Sequence, residues 1–374
     1  MKDVRMILPN LASDTAGAAS ALFELGGLTV IHDAAGSMES YITFDEHRAL
    51  EGKRTAASRL SRLEAITGDD GILLEKLAEE CAAHPPPFVA ILGSPVPFVI
   101  GTDLEGIAAE VEYTTGVPAF AVNSGGFETY DKGVCEALKK LLEKAVRPPG
   151  KHDGLTVNLL GATPLDYSPA EIEGIRTQLL AHGAARVNTL TMAEGMEEVS
   201  RASEADIDLV VSVAGLPAAR YMKKRYGIPY LSGVPLGERA AAFLSPDAAP
   251  PPLTEPVPGR EMLILGEAVL SKQLARVCAQ ETGLRAVAGV TANDDPELFA
   301  GTPHILLNTE ESIRQELSKG YFAVVGDPLY KLLLPPNSES VFIPRPHRAL
   351  SSRLYPPSEH ALEHIINELK RVLL

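Results

Sequence analysis

Short runs of valine, isoleucine and leucine alternate along the chain with longer segments whose apolar residues recur every three or four positions. The first pattern is typical of buried parallel strands, and the second of amphipathic helices that cover them. Glycine-containing turns separate the two patterns. We therefore predict an α/β fold of Rossmann-like, doubly wound parallel sheets with helices on both faces.

The individual elements follow from these patterns. The predicted strands are LTVIHD, FVAILGS, AFAVN, LTVNLLG, ARVNTL, LVVSVAG, MLILGE, RAVAGV, HILLN and FAVVGD. The predicted helices are Ala16–Leu25, Ile72–Ala83, Leu104–Thr115, Lys132–Val146, Pro169–His182, Met196–Ala202, Pro217–Tyr226, Ser271–Thr282, Thr309–Ser318 and Glu359–Leu373. This number of strand and helix units is more than one ordinary core holds, and a chain of 374 residues predicts about two or three domains.

Two proline-containing breaks interrupt the alternation, at Arg147–Gly154 and Leu244–Arg260. Proline stiffens a linker and cannot continue a strand ladder, so both breaks indicate crossings between domains. We predict three α/β domains at residues 1–147, 154–243 and 260–374, arranged around a central cleft.

Charge and composition narrow the possible partners. The chain is 45% hydrophobic and 22% charged, and its net charge is −15 with a pI near 5.1. This acidity argues against nucleic acid, whose phosphates need a basic face. The basic run Lys223–Arg225 is too short to change that expectation and reads as a solvated helix face.

The sequence predicts neither a membrane span nor a secretion signal. It has no apolar run of about 18 residues, and the N-terminus lacks the apolar core of a signal peptide. We therefore expect a cytoplasmic protein. Cys81, Cys135 and Cys278 lie far apart, each in a predicted helix, so we expect thiols outside any disulfide and no cysteine metal site.

Polar residues follow several predicted strands, where ligands of doubly wound sheets bind. They are His32–Asp33, Ser94, Asn123–Ser124, Asp166 and Asp327. Any one of them could instead be a helix cap or a turn residue. As a set at the carboxyl ends of strands, they favour a cleft. The phosphate-binding patterns GxGxxG and GxxxxGK[ST] are absent.

The segment Ile343–Pro356 combines Arg345, His347 and Arg348 between prolines. These side chains could bind a carboxylated or phosphorylated ligand through forked hydrogen bonds. The alternative is a solvated surface loop, and the sequence leaves both open. A Ser-His-Asp hydrolase is disfavoured because the GxSxG elbow is missing.

Residues 89–138 resemble the core of nitrogenase component 1-type subunits, as in nitrogenase and dark-operative protochlorophyllide reductase. The resemblance rests on the turns Ile100–Asp103, Gly116–Pro118 and Gly125–Phe127, followed by Gly133. Weaker similarity extends over the rest of the chain. It implies three Rossmann-like domains, pairing with a like subunit as a homodimer or heterodimer, and electron supply from an ATP-dependent iron–sulfur reductase.

The chain departs from this family at the cluster ligands. The three cysteines that hold an iron–sulfur cluster between paired family subunits correspond here to Ser13, Ser37 and Ser94. Serine is a hard, weakly acidic ligand, whereas clusters are held by thiolates. Asp14 and Asp33 could each add one oxygen ligand. We expect no complete iron–sulfur cluster on this chain alone, and the cofactor stays unidentified.

Three functions remain open from the sequence. The first is the thiol-poor subunit of a nitrogenase-like oxidoreductase, which pairs with a cluster-bearing sister and forms a cofactor or substrate cavity. In this hypothesis, Arg345, His347 and Arg348 contact an anionic cofactor or a tetrapyrrole. The second is a carrier that binds a metallocofactor or tetrapyrrole without redox activity. The third is another enzyme class that uses His32, Asp33 or Asp103 as acid or base.

Overall fold

Three separate parallel sheets form the framework of the protein. The computed structural model describes residues 5–34, 55–192, 195–235, 244, 257–298, 302–355, 365–368 and 370–371. One sheet falls within each predicted domain, and all strand pairs are parallel. The predicted α/β fold class is confirmed, while the domain boundaries stay a prediction.

The strands are short and mostly buried. They are β1 Leu28–Ile31, β2 Thr55–Ala57, β3 Val89–Leu92, β4 Ala119–Val122, β5 Thr156–Leu160, β6 Arg186–Thr189, β7 Ile207–Val210, β8 Tyr230–Ser232, β9 Val257–Gly266, β10 Leu284–Val290, β11 His304–Leu306, β12 Ala323–Gly326 and β13 Val341–Pro344. The first sheet has the order β2-β1-β3-β4, the second β6-β5-β7-β8 and the third β11-β10-β9-β12-β13.

Helices connect the strands and cover the sheets. They are α1 Asp14–Leu22, α2 Arg62–Thr67, α3 Gly71–Ala83, α4 Pro95–Ile100, α5 Leu104–Thr115, α6 Tyr130–Ala145, α7 Pro169–Ala181, α8 Glu197–Ser200, α9 Leu216–Tyr226, α10 Ala268–Thr282, α11 Glu310–Leu317 and α12 Arg348–Ser351. Within the described part of the chain, every helix is too short or too polar to cross a bilayer.

All ten predicted strands are present, and the differences are local. The structure adds strands β2, β8 and β13, which lie at sheet edges and are only partly buried. Strand β9 begins at Val257, inside the predicted linker, because its first residues pair with β10. The predicted last helix falls largely outside the described residues, of which 365–368 are helical.

Each sheet contains a point where the chain reverses its direction of winding. These switch points lie between β1 and β3, between β5 and β7, and between β9 and β12. The crevice outside the carboxyl ends of two such strands is where doubly wound folds bind ligands. The residues that follow these six strands are therefore the candidates for a ligand-binding site.

Candidate functional site

The carboxyl edge of the first sheet brings His32 and Ser94 together. His32 follows β1 and Ser94 follows β3, and both are buried. The Ser94 hydroxyl donates to the His32 carbonyl at 2.8 Å. Thr15 and Ser124 both donate their hydroxyls to the Gly93 carbonyl, at 2.9 and 2.8 Å. Helix α1 and the ends of β3 and β4 thus meet at this edge.

Ser13 and Asp14 begin helix α1 beside the same edge. The Ser13 hydroxyl accepts a hydrogen bond from the Ala16 backbone and caps the helix. The buried Asp14 carboxylate accepts backbone N–H groups from Gly125 at 2.8 Å and Gly126 at 2.7 Å. It also accepts the N–H of the adjoining Thr15. A side chain that the sequence suggested as a metal ligand therefore binds a glycine turn.

These contacts do not fit an iron–sulfur cluster. The hydroxyls of Ser13 and Ser94 each have a backbone partner, and serine is a poor substitute for thiolate. The Asp14 carboxylate oxygens already accept three backbone N–H groups. Ser37, the remaining predicted position, lies outside the described residues. Ligand roles for Ser13, Asp14, Ser37 and Ser94 stay predictions.

His32 and Asp33 differ in how well their polar atoms are satisfied. Asp33 accepts the Ala34 N–H at 2.7 Å. Neither ring nitrogen of His32 has a hydrogen-bond partner in the part of the chain that the structure describes, although only 2% of the residue is exposed. Burial lowers the pKa of His32, against the opposing charges of Asp70 and Asp33. A neutral imidazole at a switch point can give one hydrogen bond and accept another.

Asp103, considered as an acid or base, has a structural role. Its side chain accepts the Gly106 N–H at 2.9 Å and caps helix α5. It is exposed rather than enclosed in a crevice. This geometry is that of an ordinary N-cap.

An exposed apolar surface adjoins Ser94. It consists of Val96, Phe98, Val99, Ile100 and Phe127, and we call it the apolar edge. The exposed fractions of Phe98, Val99 and Phe127 are 62%, 74% and 66%. The rings of Phe98 and Phe127 meet edge-on with centroids 5.6 Å apart. Exposed apolar patches of this kind mark interaction surfaces.

A second polar group lies where the three sheets meet. Asp166 follows β5, Tyr130 begins α6, and His347 follows β13. The Tyr130 hydroxyl donates to Asp166 Oδ1 at 2.5 Å, and His347 Nε2 lies 2.9 Å from the same oxygen. Arg345 donates to the Asp166 carbonyl at 3.0 Å. These residues, with Glu267, form what we call the three-sheet junction, since Asp166 follows a strand of the second sheet and contacts side chains that follow strands of the first and third sheets.

Burial sets the charge states at the junction. Burial, followed by the Asp166 charge, holds the pKa of Tyr130 well above its usual value. Glu267 follows β9 and accepts the N–H groups of Val213 at 2.7 Å and Leu270 at 2.9 Å. Burial and then Asp166 raise the pKa of Glu267 as well. Both shifts favour the protonated forms of these neighbours of Asp166.

Asp327 fixes the backbone on which His347 stands. It follows β12, and its Oδ2 accepts the His347 N–H at 2.7 Å and the Ser351 hydroxyl at 2.6 Å. Its Oδ1 accepts the Leu329 N–H at 2.9 Å. The strand-end position that the sequence singled out is therefore a cap that positions the junction.

In the described part of the segment Ile343–Pro356, residues 345–351 are buried or half-buried rather than part of a solvated loop. Arg345 and His347 are 7% and 3% exposed, and Arg348 is half-buried at the first residue of α12. Within the described residues, His347 Nδ1, Arg345 Nε and Asp166 Oδ2 have no hydrogen-bond partner. These buried atoms are unsatisfied polar groups of the junction, the kind that calls for an explanation.

Sequence reasoning missed Tyr130 and Glu267. Glu267 directly follows a strand run, so the rule that selected Asp327 could have found it. Tyr130 begins an amphipathic helix, and nothing in the pattern distinguishes it from a core residue. The cysteines lie as expected, with Cys81 and Cys278 buried and Cys135 half-buried.

Comparison with known proteins identifies the family of this chain. The profile of the nitrogenase component 1 type oxidoreductases matches residues 13–245. The chain belongs to this family. The resemblance inferred from the turns at residues 89–138 is thereby confirmed.

Curated relatives of this component 1-type chain match over part of its length. It is 31% identical over 160 residues to the nitrogenase iron-molybdenum cofactor biosynthesis protein NifE of Sinorhizobium fredii. It is 29% identical over 114 residues to one of the subunits of the light-independent protochlorophyllide reductase of Prosthecochloris aestuarii. The matches cover 40% and 30% of this chain, and only 31% and 21% of the two relatives.

Solved structures of the family share the whole fold. The structure "Nitrogenase Cp1 at pH 6.5" aligns with a TM-score of 0.72 at 12% identity, over 100% of this chain and 94% of that one. "Nitrogenase Cp1 at pH 5" aligns with a TM-score of 0.66 at 14% identity, over 100% and 90%. At such identities the alignments establish the fold alone.

Proposed function

We propose that this chain is the thiol-poor subunit of a nitrogenase-like oxidoreductase complex and pairs with a cluster-bearing like subunit. The observation that carries the proposal is the apolar edge, which adjoins Ser94, a position where the resemblance places a cluster ligand between subunits. Burial of large aromatic side chains such as Phe98 and Phe127 is a main source of binding energy at protein interfaces. The family and the names of the relatives support such a complex.

The electron donor in this proposal is an ATP-dependent iron–sulfur reductase in the same cytoplasmic compartment. The cluster would come from the sister subunit, since Ser13 and Ser94 are hydrogen-bonded to backbone within this chain. This chain would contribute half of the fold and a wall of the cofactor or substrate cavity.

The three-sheet junction is where we place the contact with an anionic cofactor or a tetrapyrrole. His347 Nδ1 and Arg345 Nε are buried and have no partner within the described residues. Arg345 Nε–H can donate to an acceptor on a bound molecule, and His347 Nδ1 can do so when the imidazole carries both protons. Arg348 stands next to His347 on the same segment. Arg345 Nη2 and His347 Nε2 contact Asp166, and these contacts would hold both side chains in place.

A second candidate is a carrier that holds a metallocofactor or tetrapyrrole without redox activity. The hydrogen bonds of Ser13, Asp14 and Ser94 favour it, because they leave this edge with little to offer iron. The two candidates differ in whether a metal-bearing partner is required.

Metal analysis separates them. Iron and acid-labile sulfide are measured on protein purified without oxygen, alone and after co-expression with its genomic neighbours. We expect both only in the co-expressed preparation, at the mass of a complex with a like subunit. Protein that holds a metallocofactor or an organic ligand when purified alone, and gains neither acid-labile sulfide nor a like subunit on co-expression, would establish the carrier instead.

The pairing surface is tested by charge insertion. Phe98→Asp places a carboxylate in the apolar edge, which we expect to weaken assembly at least about tenfold because that charge must be desolvated. Tyr113→Asp is the matched control, since Tyr113 is 87% exposed on α5 outside the apolar edge. Assembly is followed by light scattering after size-exclusion chromatography. Equal assembly of the two variants would place the interface elsewhere.

A further inference from the structure

Asp14 directly follows Ser13, a position where the family resemblance places a cluster ligand. Its carboxylate lies between the first turn of α1 and the turn Gly125–Phe127. Two N–H groups of that turn point at it, at 2.7 and 2.8 Å. Successive backbone N–H groups that converge in this way form a concavity for an anion. Here the anion is supplied by the chain itself.

The turn that Asp14 binds leaves no room for a side chain at either of its glycines. Gly126 has a φ of +74°, and a Cβ there would lie 2.8 Å from Pro95 Cγ. A Cβ on Gly125 would lie 3.0 Å from the Phe98 ring. The turn therefore packs directly on α4, and its next residue is Phe127 of the apolar edge.

We propose that Asp14 is a positioning residue. Its carboxylate serves as an internal anion at the carboxyl edge of the first sheet, where it takes the place of a metal and holds Phe127 against Phe98. The expected effect of Asp14 on assembly rests on the proposed pairing with a like subunit. Its effect on the order of the turn concerns this chain alone. Charge-assisted hydrogen bonds to two adjacent N–H groups fix both the position and the orientation of the turn. Without them, the glycines would let the turn sample other conformations.

The sequence offers a clean reporter for this role, because it contains no tryptophan. Phe127→Trp places a single indole at the turn in an otherwise full-length chain. The test variant adds Asp14→Asn, which keeps the shape but puts an amide N–H₂ where an oxygen accepts a backbone N–H. The matched control adds Glu128→Gln, which removes a charge from an exposed neighbour.

Two measurements on the chain alone decide the structural part. Acrylamide quenching and anisotropy report the order of the indole, and hydrogen exchange reports the N–H groups of Gly125 and Gly126. We expect Asp14→Asn to speed exchange of these two amides by at least about tenfold, the loss of one charge-assisted hydrogen bond, and to lower the anisotropy. Glu128→Gln should change neither.

The outcomes distinguish this inference from the proposed pairing. If Asp14→Asn leaves exchange and anisotropy as in the control, the positioning role is refuted. If both change and assembly with the like subunit also falls, the inference holds with its consequence. If both change while assembly is intact in the variant, Asp14 orders the turn but the apolar edge does not need it, and the inference about the edge is overturned. Failure of the unmodified chain to assemble would refute the pairing alone, since the reporter still decides the role of Asp14.

Discussion

A row of three polar side chains crosses the second sheet inside the core. Asn188 donates to Asn158 Oδ1 at 2.8 Å, and Asn158 donates to Asp208 Oδ1 at 2.8 Å. The three residues stand on neighbouring strands in register. All are buried, and within the described residues Asp208 Oδ2 has no partner. Burial raises the pKa of Asp208 from its usual 3.8 to about 7.

This pKa predicts a pH-dependent stability. Between about pH 4 and pH 7 folded Asp208 holds a proton that the unfolded chain releases, so the free energy of unfolding falls by up to about 1.4 kcal/mol per pH unit. Asp208→Asn removes the ionisation and should flatten this slope, leaving the variant the more stable protein above pH 7. Urea denaturation across pH 5–8.5 measures it.

The exposed Asp153 supplies the comparison for that experiment. Asp153→Asn removes the same charge from the surface and should preserve the slope of the unmodified protein. A slope that survives in Asp208→Asn would show that other groups cause it.

At the scale of elements, helices α1 and α6 approach until their backbones touch. A Cβ on Gly133 would lie 1.7 Å from the Asp14 carbonyl oxygen, and one on Gly17 would lie 1.9 Å from the Tyr130 carbonyl oxygen. Only glycine permits such a crossing. The contact fixes the start of α6, where Tyr130 stands, relative to the start of α1, where Asp14 stands.

Gly133→Ala should therefore lower the free energy of unfolding by about 3 kcal/mol, because α1 and α6 must separate to admit the methyl group. Gly174→Ala is the matched control. Gly174 is also helical, but a Cβ there would meet nothing within 4 Å. Its substitution should stabilise by up to about 1 kcal/mol through helix propensity. Thermal and urea denaturation compare the two, and equal effects would contradict the close crossing.

Helices α5 and α4 show which local features allow the sequence to predict a helix. Helix α5, Leu104–Thr115, is found at its predicted bounds, since an apolar face, a capping aspartate and a terminal glycine all agree. Helix α4 was missed because its residues, PVPFVI, carry two prolines and no polar face. Most of its apolar side chains are exposed, so a rule that assigns apolar residues to the core does not identify this helix.

At the scale of the whole molecule, the three sheets with their helices, which we call units, are joined through buried polar contacts as well as apolar packing. Asp166 binds Tyr130 and His347, and Asn293 of the third unit binds Asp131 of the first at 2.6 Å. The Glu310 carboxylate binds three successive backbone N–H groups at residues 6–8. Such directional contacts fix the relative orientation of the units.

Asp166→Ala should lower the free energy of unfolding by about 3 kcal/mol, because Tyr130 and His347 are left buried without their acceptor. The unfolding transition should also broaden as the units lose their coupling. Urea denaturation followed by circular dichroism measures both. Asp153→Ala, on the surface between the first two units, should leave the transition unchanged. A loss below about 1 kcal/mol for Asp166→Ala would mean that apolar packing alone aligns the units.

The sequence by itself determined the parallel α/β architecture, ten of the strands and the family turns at residues 89–138. These depend on local periodicity and on glycine and proline positions, which act within a few residues. It also named most of the residues that follow the switch-point strands, because strand ends are visible as the point where an apolar run stops.

Only the tertiary structure decided how those residues are used. Whether the Asp14 carboxylate accepts from the Gly125–Gly126 turn, and whether His347 faces solvent or Asp166, depends on contacts between segments more than 100 residues apart. Hydrogen bonds over such separations produce no periodic pattern in the sequence. From the sequence alone, the same polar residue could therefore be a ligand, a helix cap or a link between sheets. Burial and geometry assign it one of these roles.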